Sequence, residues 1–452
     1  MSAKQNTNSS IYVFGNSFAS LAAISKLREK NLDFIWVHQG TNIEGIWRGI
    51  SYKDRILDLG MINFELDVRH PNPSSDLSTY SQYTINDCAR FSSVVSDFIS
   101  KDLELKQLPQ IKVFENGNLY PDHLISNNFS DLIRFSSSSI LGTSIPEYLH
   151  PSKKYSIKGR DNLINISYLD YVENFFGKKT ARDLFLIWAD HLIGTNVSLS
   201  NTYRHRAAWL PLPYPETIQA AIAGEPIEDY SYNFHYPSDV TFSEYANKTF
   251  LKLFEDSFIQ KIDFNTLEKS ELRQILNSNS NVFWGGKLDL FLSEVEEQDI
   301  FEVTKYRNLI DIDVYEIQLI STFNEYVVLN NDPVDESWYR ITIIPNVVFE
   351  GNRRIAVIES RGSKVDFLAT QHFQSLGINI DSHVKSIKGI PVFLTLDGQQ
   401  YINYENWYQF FTLKYQNVEF GGGSSFAYSA TFSDQIIQGV KFSEKVSDND
   451  KQ

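Results

Sequence analysis

Ile11-Tyr-Val-Phe-Gly15-Asn-Ser17-Phe-Ala-Ser20-Leu-Ala-Ala-Ile24 is the stretch on which the reading of the chain turns. A short apolar run stops at Gly15 and passes directly into helical spacing at Leu21, Ala22, Ile24 and Leu27. A second apolar run, Phe34-Ile-Trp-Val37, follows and turns at Gly40. Strand, tight turn, helix and strand within about 30 residues is the length of a nucleotide-binding βαβ unit. Such a unit aims backbone N–H groups and the positive end of a helix at a diphosphate. Its G-x-G-x-x-G signature uses one glycine for the turn, one for close approach of the pyrophosphate and one for helix–strand packing. Gly15 keeps the first place, while Ser17 and Ser20 hold the other two. Ser17 therefore puts a Cβ where phosphate comes closest. An acidic residue ordinarily ends the second strand and binds the ribose, but Val37-His38-Gln39 stands there. His38 offers one hydrogen bond where a carboxylate accepts two. Any parallel βαβ unit with a small-residue turn fits the same pattern.

Working outward, Ile43-Glu44-Gly45-Ile-Trp47-Arg48-Gly49 is a second glycine turn, and Ile56 to Phe64, through Gly60, reads as a buried strand. From about 70 to 235 helical spacing dominates: Leu169, Val172, Phe175 and Phe176, then Leu184, Leu186, Ile187 and His191, with a break at Gly177. Trp209-Leu-Pro211-Leu-Pro213-Tyr-Pro215 is a rigid extended connection. A helix is expected from Phe242 to Phe254, strand-like pieces around Phe258 to Phe264, and a strand at Asn281 to Trp284 that ends on Gly285-Gly286. Asp313 to Ile320, Glu325 to Leu329, Trp338 to Ile344 and Arg354 to Glu359 read as an antiparallel sheet walling a cleft, with Asn330-Asn-Asp-Pro333 as a turn. The strand Val418-Glu-Phe420 runs into Gly421-Gly422-Gly423, and Ser433 to Phe442 is helical, so the tail is expected to add a parallel strand beside the first.

A chain of 452 residues has room for two or three domains. A net charge of −15 argues against a general nucleic-acid binder, which needs a basic face. One cysteine, Cys88, excludes a disulfide framework and a cysteine-based metal site, and the nine histidines show no ligand spacing. Residues 1–10 are polar and lack the apolar core of a signal peptide. No run of about 18 apolar residues spans a membrane. A cytoplasmic protein acting on a small molecule, without metal or nucleic acid, is the expectation. Aromatic content of 14% suits a dense core or an aromatic-lined cleft.

The order of the pieces resembles the flavoprotein superfamily of the amine oxidases, protoporphyrinogen oxidases and UDP-galactopyranose mutases. Gly15 with its helix matches the first turn; Glu44-Gly45 with Trp47-Arg48 stands at the Gly-Gly position; Asp58-Leu-Gly60-Met-Ile-Asn-Phe64 matches an Asp-x-Gly-x-x-x-Phe strand. Asn116 to Pro121, Phe176-Gly177, Gly194 to Ser200, Tyr306-Arg307, Trp338-Tyr339-Arg340-Ile341 with Asn346, Gly389-Ile-Pro391 and Phe420 to Gly439 are similar to later family motifs. The resemblance implies an α/β fold: a Rossmann-like FAD-binding domain in three pieces (1–69, 236–290, 401–452), a mostly helical insertion (70–235) and an antiparallel-sheet substrate domain (291–400).

It also implies FAD held by Gly15, Ser17, Ser20, His38, Gly45, Arg48, Gly60 and Gly421, Gly422 and Gly423. Arg340 and Tyr428 would be catalytic, and Arg340, Tyr339 and Asn346 would bind substrate. The implied activity is hydride transfer to flavin from a small molecule such as a nucleotide-activated sugar, or a mutase-type sugar rearrangement. Ser17, Ser20, His38, Glu44 and Gly423 depart from the family pattern. They leave open a third reading, a binding protein that keeps the fold and has lost FAD.

Overall fold

The computed structural model describes residues 10–60, 62–66, 76–80, 90–109, 111–115, 118–121, 167–176, 178, 185–193, 234–286, 291, 307–319, 328–331, 338–361, 373–394, 398–422 and 431–449. Gly177, Leu184, Gly194 to Ser200, Trp209 to Pro215, Tyr306, Gly423 and Tyr428 lie outside them.

Strands β1 (Ile11–Phe14) and β2 (Ile35–His38) flank helix α1 (Phe18–Glu29), as the spacing predicts. A 3-10 turn, Gly45–Arg48, leads to the hairpin of β3 (Ile50–Tyr52) and β4 (Arg55–Leu57), and then to the short β5 (Phe64–Glu65). The single strand expected over 56–64 is thus two pieces. Gly60 stands between them at φ +99°, a conformation that takes the chain out of the extended region.

The segment read as helical carries α2 (Ser92–Ile99), but also strands β6 (Leu105–Gln107), β7 (Lys112–Glu115) and β8 (Asn118–Pro121). Helices α3 (Tyr168–Phe176) and α4 (Ile187–Ile193) follow. β9 (Phe234–Pro237) precedes α5 (Phe242–Glu255), whose start is fixed by a capping box between Thr241 and Glu244. Then come β10 (Gln260–Asp263), α6 (Lys269–Leu276) and β11 (Asn281–Trp284). β12 (Arg307–Leu319), β13 (Val328–Asn331), β14 (Arg340–Phe349), β15 (Arg353–Ser360) and β16 (Ile378–Leu394) lead to α7 (Gly398–Lys414), β17 (Val418–Phe420) and α8 (Phe432–Asn449).

Two sheets organise these elements. The first is parallel, in the order β10-β2-β1-β11-β17. The tail strand does join the head of the chain, beside β11 rather than β1. Helix α8 packs on α1, where Gly439 faces Ala19, Ala22 and Ala23; a Cβ at Gly439 would sit 2.6 Å from the Ala23 nitrogen. Small residues on both helices let the backbones meet, and Ile24, Leu27, Ile436, Ile437 and Val440 close the core around them.

The second sheet has the order β16-β12-β15-β14-β13-β7-β8. It is antiparallel except where β13 runs parallel to β7. Asn330 and Asn331, expected in a turn, are strand residues of β13, paired with β14 on one side and β7 on the other. A ladder on both flanks overrides the turn preference of asparagine. The centre of this sheet is covered on both faces: Ile355, Ala356, Val357 and Ile358 are all fully buried. The β3–β4 hairpin ties helix α5 to the second sheet. Arg55 forks onto Glu244 at 2.5 and 2.8 Å, and the Tyr52 hydroxyl donates to Glu316 of β12 at 2.6 Å. Among the described residues no helix is long and apolar enough to cross a membrane.

Candidate functional site

The turn at the head of α1 is built as the sequence predicts, with Gly15 at φ +90°. What surrounds it is protein. A Cβ on Gly15 would lie 2.5 Å from the nitrogen of Gly286. Ser17 is the N-cap of α1, and its Oγ accepts the Ser20 N–H at 3.3 Å. The Ser20 hydroxyl donates to the Phe14 carbonyl at 2.9 Å. Ser17 Oγ also fills the space in front of two later glycines. A Cβ would come within 2.7 Å of it from Gly285 and 3.0 Å from Gly422. The N–H of Gly422 is spent on Gln438 Oε1 at 2.8 Å. Head and tail of the chain therefore converge here, bringing Gly15, Ser17, Ser20 and Gly422 together. Gly421 lies beside them against the ring of Phe283, which leaves no room for a side chain.

Asn16, which the sequence reading passed over, is fully buried. Its Nδ2 donates to the carbonyls of Gln39 and Asn42 at 2.7 and 2.9 Å, and its Oδ1 accepts the Gln39 N–H at 3.3 Å. The Glu44 N–H returns a bond to the Asn16 carbonyl at 3.2 Å. Asn16 thus staples the loop after β2 onto the turn. The only signal in the sequence is an amide side chain directly after the turn glycine, able to donate and accept at once.

His38 points into its own loop, with Nδ1 3.0 Å from the Gly40 carbonyl and its ring edge-on to Phe254. Gly45 and Arg48 are exposed on the 3-10 turn, where Asn247 donates to the Arg48 carbonyl at 3.1 Å. At the start of α8, Asp434 accepts the Thr431 N–H at 3.0 Å and returns its own N–H to the Thr431 hydroxyl at 3.1 Å. Tyr80 donates to the same carboxylate, which is buried.

These residues do not fit the diphosphate half of FAD. A phosphate at a helix N-terminus uses free N–H groups and close backbone approach. Ser17 takes one of those groups for itself, and its hydroxyl occupies the approach between Gly285 and Gly422. The N-terminus of α8 is already served by a buried carboxylate, which repels an anion.

A second constellation gathers around Glu359, also missed in the sequence. Arg340 and Glu359 are direct cross-strand partners on β14 and β15. Arg340 Nη2 donates to Glu359 Oε1 at 2.6 Å, and its Nε donates to Oε2. The Tyr339 hydroxyl donates to Oε1 at 3.3 Å, and a Cβ on Gly60 would sit 3.1 Å from that oxygen. Gly60, Tyr339 and Arg340 therefore meet at one buried carboxylate. Burial first, and Glu359 second, push the Tyr339 hydroxyl far above the usual phenol range, so it remains a donor. Asn346 is not part of this group. It lies further along β14 and donates to the Pro237 carbonyl at 3.0 Å, as a tether to the start of α5. Glu359 had one mark in the sequence, a charge that ends the apolar run Ile355 to Ile358. Among the described residues no group of three acidic, histidine or cysteine side chains could hold a metal.

No protein-family model matches the chain, and no curated protein matches it. Solved structures do. A reduced UDP-galactopyranose mutase aligns over 98% of this chain and 95% of its own, with TM-score 0.67 and 13% identity. A candidate protoporphyrinogen oxidase from Exiguobacterium sp. 255-15 aligns over 98% and 99%, with TM-score 0.59 and 11% identity. A fatty acid isomerase from P. acnes producing CLA aligns over 96% and 98%, with TM-score 0.53 and 10% identity. The fold is that of these solved structures, as the order of the motifs implied. At these identities the likeness establishes the fold.

Proposed function

We propose that this chain uses the flavoenzyme fold as a small-molecule-binding protein and does not hold FAD at the β1–α1 turn. Ser17 carries this reading. It caps α1 with its own hydroxyl and closes the approach that pyrophosphate needs, between Gly285 and Gly422. The small molecule belongs in the cleft walled by the antiparallel sheet, where Tyr339 faces the polar group around Glu359. The test is the visible spectrum of the purified full-length protein, before and after incubation with FAD. A colourless protein that stays colourless after desalting is expected. A yellow preparation, or one that becomes stably yellow, overturns the proposal.

A second reading is favoured by Gly15, whose left-handed turn between strand and helix is the geometry of a dinucleotide site. Here the chain is an FAD-dependent oxidoreductase of a small molecule, or a mutase of a nucleotide-activated sugar. Segments 1–69, 236–290 and 401–452 would hold the cofactor through Gly15, Ser17, Ser20, His38, Gly45, Arg48, Gly60 and the glycines at 421–423. Segment 291–400 would offer Tyr339, Arg340 and Asn346 to substrate, with Tyr428 beside them and segment 70–235 as the helical cover. Bound FAD would supply the hydride acceptor. Net consumption of an electron acceptor then separates oxidoreductase from mutase.

A further inference from the structure

Two arginines stand at the end of the central strands of the antiparallel sheet, and they are used differently. Arg340 spends its fork on Glu359. Arg361, directly after β15, does not. Its Nη1 donates to the backbone carbonyl of Asp190 in α4 at 2.7 Å. The guanidinium stands 5.4 Å from the centroid of the Tyr339 ring. Its Nε and Nη2 are buried and meet no acceptor. The neighbouring Ser360 is fully buried and its hydroxyl is also unpartnered.

A guanidinium stays charged inside proteins, so two dry donors on one are among the costliest groups to leave unmet. Asp190 is near enough to act on Arg361 electrostatically, yet its side chain makes no ion pair with it. Burial pushes the Asp190 carboxyl above the usual range, with Arg361 pulling the other way. The result is a planar fork fixed at one nitrogen, beside an aromatic ring, with its two remaining buried donors short of an acceptor.

We propose that Arg361 is the anion-receiving residue of the cleft ligand, pairing its Nε and Nη2 with two oxygens of a carboxylate or phosphate. Arg340, to which the family resemblance carries that role, spends its fork on Glu359. This rests on the small-molecule reading above but not on the presence or absence of flavin.

The test titrates the full-length protein with inorganic phosphate, pyrophosphate and acetate at constant ionic strength, by calorimetry and by thermal melting. Variants are R361M, R361K and, as a surface control, K252M, whose side chain is exposed. Wild type and K252M are expected to bind at least one probe saturably, and the preferred probe tells a phosphate ligand from a carboxylate one. R361M should weaken that binding by about tenfold or more, while melting at or above the wild-type temperature in anion-free buffer, because the dry cation is gone. R361K keeps the charge without the fork and should bind about threefold or more weakly. If R361M does not fold, R361K decides. Absence of saturable binding by wild type, or wild-type affinity in the folded arginine variants, overturns the proposal. The flavin spectrum is a separate signal, so the two readings fail separately.

Discussion

Arg340 and Glu359 form a bidentate pair that is almost wholly buried. Removing one partner strands the other charge, which costs about 3–5 kcal/mol, whereas an apolar pair of similar volume is often tolerated. Arg340→Met should therefore lower unfolding stability in urea by that amount. Arg340→Met combined with Glu359→Leu should recover most of it. Additive losses in the double variant would show that the pair is not coupled.

Asp58 gives a pH signature. It is buried and accepts the N–H groups of Phe242 and Ser243, at 3.1 and 2.7 Å, capping α5. Burial pushes its carboxyl up to about 6 from an ordinary 3.8, against the pull of those amides. The folded state thus holds the proton more tightly than the unfolded chain. The stability linked to this proton is full below the unfolded value and is lost as pH rises through about 6; it is worth about 3 kcal/mol. Asp58→Asn should flatten that dependence. The wild-type stability relative to the variant should fall from about pH 4 to about pH 7, and a rise over that window contradicts the assignment. At this scale the sequence showed residue types but not partners. Arg340 was visible as a fork, while Glu359 opposite it depends on strand register, which distant segments set.

At the scale of elements, α1 against α8 joins the two ends of the chain. Alanine is the better helix former by about 1 kcal/mol, so Gly439→Ala would stabilise an isolated helix. Here the added methyl would meet the Ala19 carbonyl and the Ala23 nitrogen. The substitution should destabilise the protein by about 2 kcal/mol or more, read as a lower urea midpoint. An unchanged midpoint would show that the helices do not pack this closely.

Helices α1 and α5, the first part of α8 and strands β2 and β11 were legible because their apolar periods are strong and local, whereas α6 and α7 were not read as helices. The misread strands have one cause, which is pairing. The run from Ile56 to Phe64 splits because Gly60 must pass close to Glu359, a residue about 300 positions later along an extended count. Asn330 and Asn331 are drawn into β13 by β7, which comes from a stretch that reads as mostly helical.

At the scale of the whole molecule, the fold brings remote segments to one turn, as the order of motifs implied, and then fills that turn with its own atoms. Gly15 was read correctly as the bend. The staple from Asn16 and the closure by Ser17 were not, because both depend on backbone from 39–44, 285–286 and 422 arriving at the same place. The fold shared with the solved structures is kept, and Ser17 packs into the space between Gly285 and Gly422. The most direct measurement is a calorimetric titration of the full-length protein with FAD, with bound flavin counted after desalting. The account predicts no binding heat and no retained flavin; saturation at one FAD per chain would contradict it.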